Sequence, residues 1–141
     1  MLNAARVPKT VPKTRPGSAT FEFVLFSILF AFLIVAGPDM VCIAKNFYAA
    51  HRAATYIVEQ GAITGEIEQS VYDSAVNYLK RTSAGVRDWT ITRNTGRYAW
   101  GMRMECLVVG KYEIISLRIF GVKKEITIVA RKVGASQLYV R

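Results

Sequence analysis

Gly17-Ser18-Ala19-Thr20-Phe21-Glu22-Phe23-Val24-Leu25-Phe26-Ser27-Ile28-Leu29-Phe30-Ala31-Phe32-Leu33-Ile34-Val35-Ala36-Gly37-Pro38 decides how this chain is organised. From Phe23 to Pro38 there are sixteen residues without a charge. Apolar side chains on every face are the mark of a helix made for lipid, because a helix of a soluble domain keeps a polar side. A spanning helix needs about 20 residues. Counting from Phe23 through Gly37, Pro38 and Asp39 to Ala44 gives 22, which suffices. Glu22 stands at the entrance to this run. A carboxylate taken into hydrocarbon without a compensating group costs several kcal/mol, so the arrangement implies a compensating charge.

Upstream, residues 1–17 form a short basic leader. It holds Arg6, Lys9, Lys13 and Arg15 and no acid, and Pro8, Pro12 and Pro16 oppose a stable helix. The whole 141-residue chain carries +9, from 19 basic and 10 acidic side chains. Without the leader, 15 basic side chains remain against 10 acidic ones, or +5. Much of the basic character is therefore expected to serve targeting. The positive-inside rule places the leader in the cytoplasm and everything after the run outside. A secretory signal cut after the run fits poorly, because Gly37-Pro38-Asp39 is not a small-x-small site.

Downstream, Gly37 and Pro38 predict a kink or break, since proline removes a helical hydrogen bond. Beyond them Val41, Ala44, Phe47, Tyr48, His51, Ala54, Ile57 and Val58 recur every three or four residues. This predicts one long helix from about Ala19 to about Gln60, bent near Pro38 and ended by Gly61 and Gly65. A second helix is expected from about Glu66 to Arg81, with Ile67, Val71, Tyr72, Ala75, Val76 and Leu79 inward. From Val86 the texture turns to strands: 87–93, then 102–109, then 125–131. Asn94-Thr95-Gly96 reads as a turn, and Gly110-Lys111 as a turn or bulge before Tyr112. The fold class is α+β: a long N-terminal transmembrane and stalk helix, a second short helix, then a small antiparallel β-sheet head. The expected divisions are a leader at 1–17, the transmembrane and stalk helix at 18–60, and an extracytoplasmic head at 61–141.

Little in the chain suggests catalysis. His51 is the one histidine, on or near the apolar stripe, with no partner marked by sequence. No serine sits in Gly-x-Ser-x-Gly, and there is no phosphate-binding glycine loop. Cys42 and Cys106 lie far apart and read as two thiols rather than a disulfide or a metal pair. No enzyme activity, cofactor or metal is expected. Arg87, Trp89, Arg93, Arg97, Tyr98, Trp100 and Arg103 cluster in seventeen residues. Arg93, Arg97 and Arg103 could line an anion or single-stranded nucleic-acid surface by charge and stacking. Strand alternation is the preferred reading, with Trp89 and Ile91 inward and some arginines facing water or anionic cell-wall polymer, so nucleic acid is not an expected partner.

Gly17, Glu22 and Phe23, with the basic leader and the apolar run, resemble the type III signal of type IV prepilins. The Glu-Phe order resembles the tight-adherence branch, and the chain looks like a TadE-like minor pseudopilin of that system. The resemblance covers about residues 13 to 60. It implies cleavage by a prepilin peptidase between Gly17 and Ser18, making Glu22 the fifth mature residue. It also implies that Glu22 pairs with a free N-terminal amine, its own or a neighbour's, and so sets axial register together with Phe23. Phe21, Phe23, Phe26, Phe30 and Phe32 would then pack a filament core, with Ala19, Ser27 and Ala31 permitting close approach. The implied partners are the peptidase, other pilin subunits and an inner-membrane assembly platform. The implied place is the cytoplasmic membrane as a single-pass protein, and a cell-surface filament after assembly. The implied role is adhesion or secretion through a pilus-like filament. Two alternatives are an uncleaved membrane-anchored accessory protein of such a machine and a nucleic-acid-binding surface pilin.

Overall fold

A computed structural model describes residues 16–137, with side chains from Ala19 onward. The leader residues Arg6, Lys9, Lys13 and Arg15 lie outside the described residues. The element order is α1 (Pro16–Thr64), α2 (Gln69–Thr82), β1 (Val86–Arg93), β2 (Arg103–Glu113), α3 (Ile115–Arg118) and β3 (Glu125–Ala135). This is the expected α+β layout of a long apolar helix, a shorter helix and an antiparallel sheet. The chain divides after Ile34 into two compact units, each taken on its own below.

The first unit, as far as it is described, is the apolar part of α1. Phe21, Phe23, Phe26, Phe30 and Phe32 are all exposed, and none of its most apolar stretch is buried. By length and composition this helix can cross a membrane.

The second unit, from Val35 onward, takes in the rest of α1 as well as the head expected at 61–141, and is called the head below. Its sheet runs β1-β2-β3, antiparallel throughout. β2 and β3 pair without a break from Arg103↔Ala135 to Glu113↔Glu125. β1 pairs with β2 from Trp89↔Gly110 to Arg93↔Cys106, with an irregularity between Val86 and Trp89. On central β2 the even positions Met104, Cys106, Val108, Gly110 and Tyr112 are all buried, as the two-residue period of a half-covered sheet demands. β1 adds Ile91 to this core, β3 adds Ile128 and Ala130, and α2 adds Ala75 and Leu79. The C-terminal part of α1 contributes Ala49, Ala50, Ala53, Ala54, Ile57 and Val58. Four alanines on one face let a helix approach its neighbours closely. Cys42 and Cys106 are both free, and burial pushes the Cys106 thiol up to about 11.

Several expectations are corrected. α1 runs as one helix through Gly37 and Pro38, as expected, but continues past Gln60. A proline takes away a single backbone donor, and the rest of a long helix can carry that loss. Gly61 is inside α1. The helix ends at Thr64, where Gly65 takes φ +74, a left-handed position that glycine reaches without strain. The inward stripe of α1 holds at Ala54, Ile57 and Val58 but is misplaced nearer Pro38. Val41, Ala44, Phe47, Tyr48 and His51 are exposed, whereas Asn46, Ala49, Ala50 and Ala53 are buried. The larger apolar residues drew the sequence reading to the wrong face, because small alanines carry little hydropathic weight. α2 begins at Gln69, since Glu66 instead bridges to Arg97. β2 continues straight through Gly110 and Lys111, and β3 extends to Ala135.

Gly110 is in a strand interior for a packing reason. A Cβ there would stand 2.5 Å from the Trp89 ring across the ladder. The Trp89 indole N–H donates to Ser83 Oγ at 3.1 Å, so the ring is held in place. Gly110→Ala should therefore destabilise the head by about 1–3 kcal/mol, the usual range for overpacking. Denaturant unfolding checks this, and in a Trp89→Leu background most of the loss should vanish.

Candidate functional site

Three groups of residues matter here: the sequence singled out the first and the third, and the structure treats them differently. Gly17 and Ser18 fall in the first turn of α1. Glu22 is exposed one turn further on, directly before the apolar stretch. Phe23 is 72% exposed, which leaves its ring available for packing against another helix or lipid. Ser27 donates its hydroxyl to the Phe23 carbonyl at 2.8 Å, so it is satisfied within its own helix, as hydroxyls in apolar surroundings must be. On this surface the described residues offer an open apolar groove, lined by Phe23, Phe26, Ser27, Leu29, Phe30 and Leu33, and no pair of reactive groups. What it can do is insert into lipid and pack against like helices.

The second group was missed. Asp39 is the first charged residue after the apolar run, and it is buried. Its Oδ1 accepts from the Tyr112 hydroxyl at 2.5 Å and from the Ile115 amide at 3.2 Å. Its Oδ2 accepts from the Ser116 amide at 2.6 Å. One carboxylate on α1 thus fastens the end of β2 and the first turn of α3. Burial first, then the hydrogen bond to Asp39, raise the Tyr112 hydroxyl above the ordinary phenol range, so it stays a donor at neutral pH. Asn46, two turns on, does similar work. Its amide donates to the Ala84 carbonyl at 2.8 Å, and its Oδ1 accepts from the Ala84 amide at 3.1 Å. The sequence signal was a lone Asp and a lone Asn on an otherwise apolar or alanine-rich helix. Their partners lie 38 to 77 residues away, which no local pattern reveals.

Compared with family models, curated proteins and solved structures, the chain matched none.

The third group, the arginines, is committed to the head's own structure. Arg93 lies with its guanidinium 4.7 Å from the Tyr72 ring centre. It donates to the Ile67 carbonyl at 3.0 Å and to Gln69 Oε1 at 2.9 Å, tying the start of α2 to β1. Arg97 pairs with Glu66 at 3.5 Å. Arg103 stands 4.0 Å from Glu105, whose main partner is Arg131 at 2.5 Å. That bond from Arg131 holds the Glu105 carboxyl below its usual range. Of the three, Arg93 is the most tightly held, while Arg97 and Arg103 keep largely exposed side chains. His51 is exposed, off the buried stripe where the sequence placed it. Among the described residues no group of His, Cys, Asp and Glu could hold a metal ion.

Proposed function

We propose that this chain is a structural, pilin-like subunit: a prepilin cut between Gly17 and Ser18, held in the cytoplasmic membrane by the apolar part of α1, and then built into a pilus-like filament. Within that reading it resembles a TadE-like minor pseudopilin of the tight-adherence branch, serving adhesion or surface attachment. Its partners are a prepilin peptidase, other pilin subunits and an inner-membrane assembly platform. The observation that carries the reading is the order Gly17, Glu22, Phe23 at the head of an apolar helix whose span is wholly exposed. A helix in that condition must meet lipid or other helices, since exposed apolar surface on this scale is not left to water. The continuity of α1 supports retention of the run. A signal-peptidase cut near residue 38 would fall inside a helix whose next residue, Asp39, is bound into the head.

The test is the intact mass and N-terminal sequence of the chain recovered from membranes, with and without a prepilin peptidase. The expected mature chain starts at Ser18, and Gly17→Val should abolish that species, because the enzyme class implied requires the small residue. A chain that still starts at Met1 when peptidase is present overturns the reading. It would leave the uncleaved membrane-anchored accessory protein, which needs neither Gly17 nor a free amine at Ser18.

A further inference from the structure

The connection between β2 and β3 places four large apolar side chains in the open. Ile115, Ile119, Phe120 and Val122 are 56, 72, 72 and 50% exposed. Arg118, Lys123 and Lys124 lie among them, and no acid occurs from Ile114 to Lys124. The exposure does not come from an irregular chain. α3 is followed by Ile119 in the right-handed helical region, so Ile115 and Ile119 lie on one face, a turn apart. The Phe120 amide donates to the Leu117 carbonyl at 3.0 Å, and the Val122 amide to the same carbonyl at 3.1 Å. The tip is therefore a folded element that shows water an apolar, cationic surface. The nearest carboxylates by sequence, Glu113 and Glu125, face each other across the ladder at its base, and Glu113 is paired with Arg87 at 3.0 Å.

Its location gives this surface a partner. Asp39 accepts from the Ile115 and Ser116 amides, which pins the tip to that point of α1. Asp39 is also the first charged residue after the uncharged run, and so the first that must leave hydrocarbon for the headgroup layer. We propose that the 114–124 tip is an interfacial membrane contact: Ile115, Ile119, Phe120 and Val122 enter the headgroup–acyl boundary where the span ends, and Arg118, Lys123 and Lys124 meet anionic headgroups. Apolar side chains flanked by Lys and Arg suit that boundary, where burial of about 5–10 Å is usual. A soluble protein partner would find apolar surface here too, but it would have no need of the tip at the exit of a span. The assignment rests on reading the run as a membrane span.

The full chain would be reconstituted into phosphatidylcholine–phosphatidylglycerol vesicles with brominated acyl chains, which quench nearby indoles. Phe120→Trp reads the tip and Phe30→Trp reads the span. Ile63→Trp is an exposed head control about 36 Å from Asp39 along α1, at 1.5 Å per residue. Emission from each introduced indole is taken as the difference from the parent chain. The expected result is quenching at positions 120 and 30 and none at 63. Lys123→Gln with Lys124→Gln should weaken quenching at 120 in the mixed vesicles and leave it unchanged in pure phosphatidylcholine. Quenching at 30 without quenching at 120 overturns the lipid assignment and makes the tip a surface for another protein. Equal quenching at 63 and 120 also overturns it, since the head would then lie on the membrane without using the tip. No quenching at 30 removes the span reading itself, and this inference with it.

Discussion

Asp39→Ala is expected to cost the head about 3–5 kcal/mol. The substitution removes the acceptor of three hydrogen bonds at once and leaves the Tyr112 hydroxyl and the Ile115 and Ser116 amides without it. A buried donor stripped of its acceptor loses about 1–3 kcal/mol, and bonds to a charged group stand at the upper end of net values. Total stability of a domain is about 5–15 kcal/mol, so this change alone brings the head near its unfolding threshold. Tyr112→Phe should be milder, about 1–2 kcal/mol, because the carboxylate keeps two amide donors. Asp88→Ala, at an exposed acid on β1, should fall within about 0.5 kcal/mol of the parent. Urea unfolding of the full chain in detergent, followed through Trp89, gives all three values. Equal midpoints for Asp39→Ala and Asp88→Ala would mean that Asp39 does not hold the tip.

The fold was legible in the sequence wherever a single period dominated. The apolar run, the α2 face with Ala75 and Leu79, and the alternation around Ile91 needed only local rules. Reading failed where local and tertiary forces diverged. Before Ala54 the inward face of α1 was misplaced because Phe47 and Tyr48 outweigh alanines on any hydropathy measure. The buried face, however, is filled by small alanines rather than by the most hydropathic residues. Gly110 looked like a turn because its true role, making room for Trp89, depends on a register partner more than twenty residues away. Gly17, Glu22 and Phe23 were singled out by their order alone, and their role belongs to the proposed function. Arg93 was visible as a residue but not as a tether, because its partners Ile67, Gln69 and Tyr72 sit in another element.

Glu22→Leu is expected to separate membrane insertion from assembly. Leucine at the entrance to the run makes insertion easier, since an acid at depth costs about 2.5–3.5 kcal/mol on insertion scales and leucine costs nothing. Processing after Gly17 should continue, and the mature chain should accumulate in the membrane. Assembly should fail, because on the proposed reading the carboxylate answers the Ser18 amine as one subunit docks beside another. Removing one member of a desolvated ion pair leaves the other charge uncompensated, at a cost of about 3–5 kcal/mol. At 1.4 kcal/mol per tenfold, that corresponds to a loss of more than about a hundredfold in docking equilibrium. The fraction of mature chain found in sheared surface filaments, against the fraction left in membranes, is the quantity to measure. Glu22→Asp should recover part of the filament fraction and Glu22→Gln little, since the first keeps the charge and the second keeps only the shape. Full incorporation of Glu22→Leu would show that register comes from packing of Phe21, Phe23 and Phe26 alone. The acid at the mouth of the run would then need another explanation.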